Sequence, residues 1–208
     1  MLRDHFFLSR NPSHFHINPI VKAFFVSEAF ICSGWNFIVP IIAIFVVTTI
    51  KGGNVEIAGI GYSINLISRV IAELITGRIL LGAKDTKKMI VAIIGISCLS
   101  LAYFSFMFAS TITLLYLSYA IVGIGFGVAS PAKNSLFSMH LDKNKEATEW
   151  SLNDALSAIC MSLSAALGGF VVHSYGFTVL FFLAMMVNII AIVPYLLYIK
   201  VSLSLSRQ

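Results

Sequence analysis

The fold of this chain is decided by one stretch, Ser118 to Glu149, which reads SYAIVGIGFGVASPAKNSLFSMHLDKNKEATE. The stretch begins as an apolar run spaced by glycines, meets Pro131 and Lys133, and ends in a short, highly charged loop. Another long apolar run begins directly afterwards, at Trp150. The same alternation between long apolar runs and short basic loops recurs along the chain, and it predicts the structural class before any motif does.

The composition indicates an integral membrane protein. Of the 208 residues, 58% are hydrophobic and only 11% are charged, whereas soluble domains carry about 25% charged residues. So few charged side chains cannot cover a water-facing surface. The net charge of +5 does not indicate nucleic-acid binding, because the basic residues lie between the apolar runs rather than on one face.

Six apolar runs reach the roughly 20 residues that a membrane-spanning helix needs. They cover residues 20–49, 57–80, 89–109, 112–138, 150–173 and 176–199. Runs of this length are too long for the strands of a membrane barrel, so the sequence predicts an all-α protein with six transmembrane helices. We expect residues 1–19 to form an N-terminal tail, residues 20–200 the transmembrane domain and residues 201–208 a C-terminal tail.

The placement of lysine and arginine predicts that both tails are cytoplasmic. On the opposite side only Lys51 is basic, and the loops near Ser110 and Ser174 carry no basic residue. The basic residues on the predicted cytoplasmic side are Arg3, Arg10, Lys22, Arg78, Lys84, Lys87, Lys88, Lys143, Lys145, Lys200 and Arg207.

Catalytic and metal-binding patterns are absent from the sequence. There is no His-Glu-x-x-His pair, nucleophile elbow or phosphate-binding loop. The three cysteines, Cys32, Cys98 and Cys160, lie inside apolar runs and are interpreted as small core residues. We therefore predict no enzyme activity, no metal and no cofactor.

Small residues predict where helices approach one another, because association in lipid depends on close packing rather than on a hydrophobic force. Gly123 and Gly127 mark such a seam in the fourth run, and Gly168 and Gly169 another in the fifth. The third and sixth runs are bulkier, so we expect these two helices to face lipid and the other four to lie inside. Pro40, Pro131 and Pro194 are each expected to kink a helix.

Away from the ends of the predicted spans lie five charged residues, at depths where charge is costly and indicates function. Depths counted from the helix ends predict two networks of matched depth. The first joins Glu28, Arg69 and Glu73, and the second joins Lys133 with Asp154.

A central polar site is predicted nearer the middle of the spans. Trp35, Asn36 and Asn65 would bound it, with the Glu28 network beneath, which is the usual position of a transporter cavity. Asn188, on the bulky sixth helix, is expected to make an interhelical hydrogen bond instead. The alternative for the charged residues is that they only pair with one another and orient the cytoplasmic end, without touching a ligand.

The chain resembles one six-helix half of a major facilitator superfamily transporter. The likeness is strongest in three segments: Leu167-Gly168-Gly169 followed by Tyr175-Gly176-Phe177 and Phe181; Ser130 to Phe137; and Asp142 to Glu146 followed by Glu149-Trp150. The resemblance implies a half built from two inverted three-helix repeats. It also implies transport of a small solute by alternating access, in a plasma membrane of the bacterial inner-membrane type.

The loop between the second and third helices departs from the family signature. It keeps the leading glycine, Gly77, and a closing basic pair, Lys87 and Lys88, but at a different spacing, and its acid is either lost or displaced to Asp85. The resemblance implies that these four residues belong to a cytoplasmic gate, and the depth estimate adds Lys133 and Asp154 to it. The fourth helix lacks the family's buried arginine and the fifth lacks a Gly-Pro pair, which argues against proton–drug antiport specifically.

The resemblance also predicts a partner, because the superfamily fold has two six-helix halves and this chain corresponds to one. A parallel two-fold dimer would rebuild twelve helices. We therefore expect transport by a homodimer, or by a pairing with another half, with Glu28 coupling transport to protons. The alternative function is a non-transporting membrane partner within a larger complex.

Overall fold

The computed structural model describes the backbone of residues 19–205 and the side chains of residues 21–199. The helices are α1 (Pro19–Asn36), α2 (Ile42–Thr49), α3 (Val55–Ile79), α4 (Asp85–Phe106), α5 (Ile112–His140), α6 (Glu146–Tyr175), α7 (Phe177–Ile190) and α8 (Val193–Leu205). This range contains no strand. The helical backbone continues to Leu205, past the expected start of the C-terminal tail. The N-terminal tail up to residue 18 and residues 206–208 lie outside the described residues.

These helices form six spans that are long and apolar enough to cross a membrane, as the sequence predicts. The first span consists of α1 and α2, the sixth of α7 and α8, and the other four of one helix each. Residues 80–84 and 141–145 connect spans at one end of the bundle, which we call the basic end. Lys84, Lys143 and Lys145 lie in these two loops.

Two of the three prolines coincide with interruptions of a span. The first span breaks into turns over residues 37–41, which include Pro40, and the sixth breaks at residues 191–192, just before Pro194. Proline lacks the amide hydrogen that an α-helix needs at interior positions. Pro131, by contrast, lies inside an uninterrupted α5. At the second break the hydroxyl of Ser27 donates a 2.7 Å hydrogen bond to the carbonyl oxygen of Ala191, which stabilises the interrupted backbone.

The bundle is organised around two central helices. The first span packs through α1 against α6 and α7, and α5 packs against α3 and α4. The third and sixth spans also touch, through α4 and α7. Thus each of the first and fourth spans lies mainly against two spans from the other half of the sequence.

Glycines form the closest seams between these helices. A Cβ atom on Gly123 or Gly127 of α5 would collide with the α3 backbone at Asn65 and Arg69. One on Gly168 of α6 would collide with the carbonyl oxygen of Phe37, in the interruption of the first span. Gly169 has no neighbouring atom within 4 Å of such a position, so it makes no seam within the described residues.

The expectation that the third span faces lipid is wrong. Half of the residues in its most apolar 18-residue stretch are buried within the chain. The corresponding share is 11% in α3 and 17% in α6. The three phenylalanines at and just after the end of α4 misled the prediction, because alternate positions along a helix lie on opposite sides of it. Phe106 is fully buried, whereas Phe104 and Phe108 are exposed.

Candidate functional site

The central charged contact joins α1 to α5. The Lys133 ammonium donates to the Glu28 carboxylate, and the two side chains are 8% and 26% exposed. The thiol of Cys32, one turn along α1, lies 3.6 Å from the other carboxylate oxygen. A cavity of about 20 Å³ adjoins the pair, with Trp150 and Asn153 in its lining, which is roughly room for one water molecule.

This contact corrects the predicted pairing of Lys133 with Asp154. Asp154 is exposed and has no ion-pair partner among residues 21–199. The prediction failed because it matched depths alone. Lys133 belongs to the α5 surface that faces α1, whereas Asp154 lies on an exposed side of α6.

Arg69 and Glu73 pair with each other, not with Glu28. The Arg69 Nε atom lies 3.6 Å from a Glu73 carboxylate oxygen, one helical turn along α3, and the side chains are 41% and 40% exposed. The predicted single network of Glu28, Arg69 and Glu73 is therefore wrong. The two acids lie on α1 and α3, and α3 packs against α5 and α2 instead.

A row of aromatic contacts connects four helices near the middle of the bundle. The ring of Trp35 on α1 stacks on Tyr103 of α4, with 6.4 Å between ring centroids. It also makes a T-shaped contact with Phe126 of α5, with 5.8 Å between centroids. The guanidinium carbon of Arg69 on α3 lies 5.6 Å from the centroid of Phe126, a cation–π geometry. Phe126 therefore contacts both Trp35 and Arg69. These two site residues were predicted separately, and the sequence did not indicate a common neighbour.

The aromatic row and the ion pair occupy the same α1–α5 seam at different depths. Glu28 precedes Trp35 by seven residues, and Lys133 follows Phe126 by seven residues. Seven residues are two helical turns, about 10 Å along an axis. Because α1 and α5 run in opposite directions, the ion pair lies about 10 Å nearer the basic end than the aromatic contact.

The three asparagines occupy different environments. The side-chain amide of Asn36 donates to the Cys32 carbonyl of its own helix at 2.9 Å, immediately before the break in the first span. Asn65 is buried in the seam between α3 and α5. Asn188 is fully buried and donates to the Ile96 carbonyl and the Ser100 hydroxyl of α4, at 2.9 and 2.8 Å, so the predicted interhelical hydrogen bond is present.

The predicted gate residues of the basic end hold helix ends together. The Lys87 ammonium donates to the Ile79 carbonyl at the end of α3, at 3.1 Å. The buried Lys88 ammonium lies 2.8 Å from the Met139 sulfur on α5. Gly77 is exposed, and its Cβ position would meet open space.

His140, at the end of α5, joins two further elements of the basic end. Its Nε2 atom lies 3.8 Å from an Asp85 carboxylate oxygen on α4 and 3.1 Å from the Tyr198 hydroxyl on α8. The displaced acid of the loop, Asp85, therefore reaches the end of α5. No cluster of three or more metal-ligating side chains occurs among the described residues.

Sequence reasoning missed Phe126, Tyr103 and Cys32 as neighbours of the candidate site. Phe126 had a visible signal, since it is the bulky residue between Gly125 and Gly127 in a glycine seam. Tyr103 and Cys32 had none, because nothing in an apolar run distinguishes the residue that faces the site.

A comparison with family models supplies the assignment. The model described as Major Facilitator Superfamily matches residues 24–207. The chain belongs to the Major Facilitator Superfamily. The match includes five complete spans and all but the first three residues of the first span, and the resemblance inferred from the sequence is confirmed. A search of curated proteins finds no match to this chain.

Membership of the Major Facilitator Superfamily establishes the general function. The chain is a multi-pass integral membrane protein and a transporter of the major facilitator type. In this superfamily, sites near the middle of the membrane bind the solute while the surrounding helices alternate between open ends. The aromatic row lies at such a middle position, and the Glu28–Lys133 pair lies between it and the basic end.

Proposed function

We propose that this chain moves a small solute across a plasma membrane of the bacterial inner-membrane type by alternating access, as a dimer of six-helix halves. The observation that carries the proposal is the α1–α5 seam, in which the Trp35–Phe126 contact and the Glu28–Lys133 ion pair lie at successive depths. Asn36, at the end of α1, adds a polar group beside an interrupted span. Interrupted helices are common at the solute sites of transporters.

In this proposal the solute binds between the halves against Trp35 and Phe126. Asn36 supplies a polar contact, and Arg69 with Glu73 lies at the rim of the site. Asn65 is buried between α3 and α5 and has no part in the proposed solute contact. The support for Arg69 in this role is its half-exposed guanidinium above the Phe126 ring. A flat aromatic surface beside a hydrogen-bonding amide suits solutes with both apolar and polar faces.

Glu28 is the proposed coupling residue. When the carboxylate is ionised, its attraction to Lys133 holds α1 and α5 together at the basic end. Protonation of Glu28 removes that attraction, because a neutral acid attracts an ammonium group far less strongly. The basic end then opens, and the contacts of Asp85, Lys87 and Lys88 with neighbouring helix ends separate with it.

The packing of the spans supports an inverted-repeat arrangement. The first span lies against the fifth and sixth, the fourth against the second and third, and the third touches the sixth. This exchange of partners is what two intertwined three-helix repeats would produce. Both termini and the basic end are assigned to the cytoplasm in the proposal, on the strength of the basic loops.

The test has two stages. Purified protein is first screened for solutes that raise its melting temperature, since a ligand that binds the folded state stabilises it. Uptake of a solute found in this way is then measured in proteoliposomes with and without an inward proton gradient. We expect the gradient to drive uptake by the unmodified protein and Glu28→Gln to abolish that uptake while the protein still inserts.

Glu56→Gln is the matched control, because Glu56 is exposed in the first turn of α3 at the opposite end of the bundle. Unchanged gradient-driven uptake by Glu28→Gln would remove Glu28 from the mechanism. Absence of uptake by the unmodified protein, together with stable purification only in complex with an unrelated membrane protein, would favour the non-transporting partner instead.

A further inference from the structure

Arg69 and Glu73 form a charge pair that the chain leaves incompletely satisfied. Arg69 precedes the end of α3 at Ile79 by ten residues, about 15 Å along the helix axis. Its Nε atom lies 3.6 Å from a Glu73 carboxylate oxygen, whereas a charge-assisted hydrogen bond measures about 2.7–2.9 Å. Neither side chain makes a hydrogen bond within residues 21–199, and each is half-exposed. Charged groups at such depth need polar partners, so both retain capacity for a ligand.

The pair lies on the side of α3 that faces the aromatic row. The guanidinium carbon of Arg69 lies 5.6 Å from the centroid of the Phe126 ring, and Glu73 shares its side of the helix one turn away. Ile71 lies on the other side of α3, because two residues turn a helix by about 200°. That side lines an apolar groove of about 540 Å³ shared with α4 and α5. The two charges are therefore separated from the groove and adjoin Phe126.

The aromatic surface beside the pair is accessible. Trp35 and Phe126 are both partly exposed and make a T-shaped contact. Within the described residues, α1 packs mainly against α6 and α7, and α3 packs mainly against α5. A small molecule placed against Phe126 can thus reach the charges of α3 and the Trp35 ring of α1 together.

The opposite signs of the two charges define the ligand. An anion would satisfy Arg69 but would be repelled by Glu73, and a cation would meet the reverse difficulty. A molecule with an ammonium and a carboxylate close together satisfies both and adds no net charge to the membrane interior. Residues four apart on a helix have Cβ atoms about 5–6 Å apart. The pair therefore suits a ligand whose two charges lie close together, as they do when both are carried by one carbon atom.

We infer that the solute is an α-amino acid with an aromatic or large apolar side chain. Its carboxylate accepts hydrogen bonds from the planar guanidinium of Arg69, which fits a carboxylate with two parallel bonds. Its ammonium donates to the Glu73 carboxylate. Its side chain lies against Phe126 and Trp35, where aromatic rings pack in offset or edge-to-face contact. The inference rests on the proposed transport function and names the solute class.

The first test compares L-phenylalanine with three analogues on purified protein in detergent. N-acetyl-L-phenylalanine lacks the ammonium, L-phenylalaninamide lacks the carboxylate, and glycine lacks the side chain. Titrations at about pH 6 keep the α-amino groups charged. L-phenylalanine should raise the melting temperature, because it binds the folded state. Each analogue should bind at least about tenfold more weakly, since each loses a charge-assisted hydrogen bond or the aromatic contact.

The second test asks which residue reads which charge. In Glu73→Gln, L-phenylalanine and N-acetyl-L-phenylalanine should bind with nearly equal affinity, because the group that prefers the ammonium is gone. In Arg69→Gln, L-phenylalanine and L-phenylalaninamide should become nearly equal for the corresponding reason. Misfolding would weaken all ligands alike and would not exchange one preference for another. Glu56→Gln is the control, since Glu56 is exposed at the opposite end of the bundle, and it should keep both preferences.

Two results would overturn the inference. One is that L-phenylalanine binds no better than its analogues, or that it leaves the melting temperature of the unmodified protein unchanged. The other is that both preferences persist in Glu73→Gln and in Arg69→Gln, which would place the two charges of the ligand elsewhere.

The readout is binding and does not require transport. Protein that binds L-phenylalanine as expected but takes up no solute in proteoliposomes would contradict the proposed function and leave the ligand class intact. Uptake of a different kind of solute, without binding of an α-amino acid, would contradict the ligand class and leave the transport function intact.

Discussion

Lys133 of α5 meets Glu28 of α1 and not Asp154 of α6, although both acids lie at similar depths in the bundle. The contact connects the two central helices of the bundle, each of which packs against a different pair of spans. The ion pair therefore connects two groups of helices, α1 with α6 and α7, and α5 with α3 and α4. It is positioned to respond to, or to control, a movement of one group relative to the other.

Removing one partner of this pair should destabilise the protein. Lys133→Met leaves the Glu28 carboxylate largely buried without its ammonium, at a cost of about 3 kcal/mol in the free energy of unfolding. The double variant Lys133→Met/Glu28→Gln should recover most of that loss, because neither remaining group is charged. Thermal unfolding in detergent measures both.

Lys51→Met, at an exposed site, serves as the control and should have little effect. A double variant no more stable than Lys133→Met would contradict this prediction, because the unpaired Glu28 carboxylate would then not be the cause of the loss.

Replacement of glycine by alanine should have opposite effects on stability at Gly123 and at Gly169. Gly123→Ala forces a methyl group against the α3 backbone and should destabilise the protein by about 1–3 kcal/mol. Gly169→Ala meets open space within the chain, and alanine is favoured over glycine in a helix by up to about 1 kcal/mol. We expect the melting temperature to fall for the first variant and to hold or rise for the second. Equal losses at both positions would contradict the assignment of the seam.

Trp35 should report on solute binding. The chain contains two tryptophans, and Trp150→Phe leaves Trp35 as the single tryptophan, whose emission can be excited selectively over tyrosine. A solute found by the thermal screen should shift or quench its emission by displacing water from the aromatic row. The same solute should leave Trp150 emission nearly unchanged in Trp35→Phe. The reverse result would locate the solute beside Trp150, close to the Glu28–Lys133 pair.

The hydrogen bond between Asn188 and Ser100 should be measurable by a double-mutant cycle. The two side chains are buried between α7 and α4 and are 2.8 Å apart. Interhelical hydrogen bonds in membranes contribute on average about 0.6 kcal/mol, with values up to about 1.7. Asn188→Ala and Ser100→Ala should therefore each lower stability, and together by less than the sum. Fully additive losses would mean that the two groups do not interact.

The sequence alone determined the class of this protein, the six spans and the family. These follow from one-dimensional properties: the length of apolar runs, the scarcity of charge and the residues of a few loops. Span boundaries were less well defined. Helix α5 continues to His140 and α6 begins at Glu146, although the apolar runs suggested residues 138 and 150.

Tertiary structure alone decided which charges and rings meet. Depth along a helix axis placed Glu28, Arg69, Lys133 and Asp154 within a few residues of one another, but a depth leaves open which neighbour a side chain faces. Each residue turns 100° about its helix, and helix packing then selects the facing helix. Phe126 contacts both Trp35 and Arg69 because the glycines beside it allow α3 and α4 to approach α5 closely. That approach is a property of the assembled bundle, and no single apolar run encodes it.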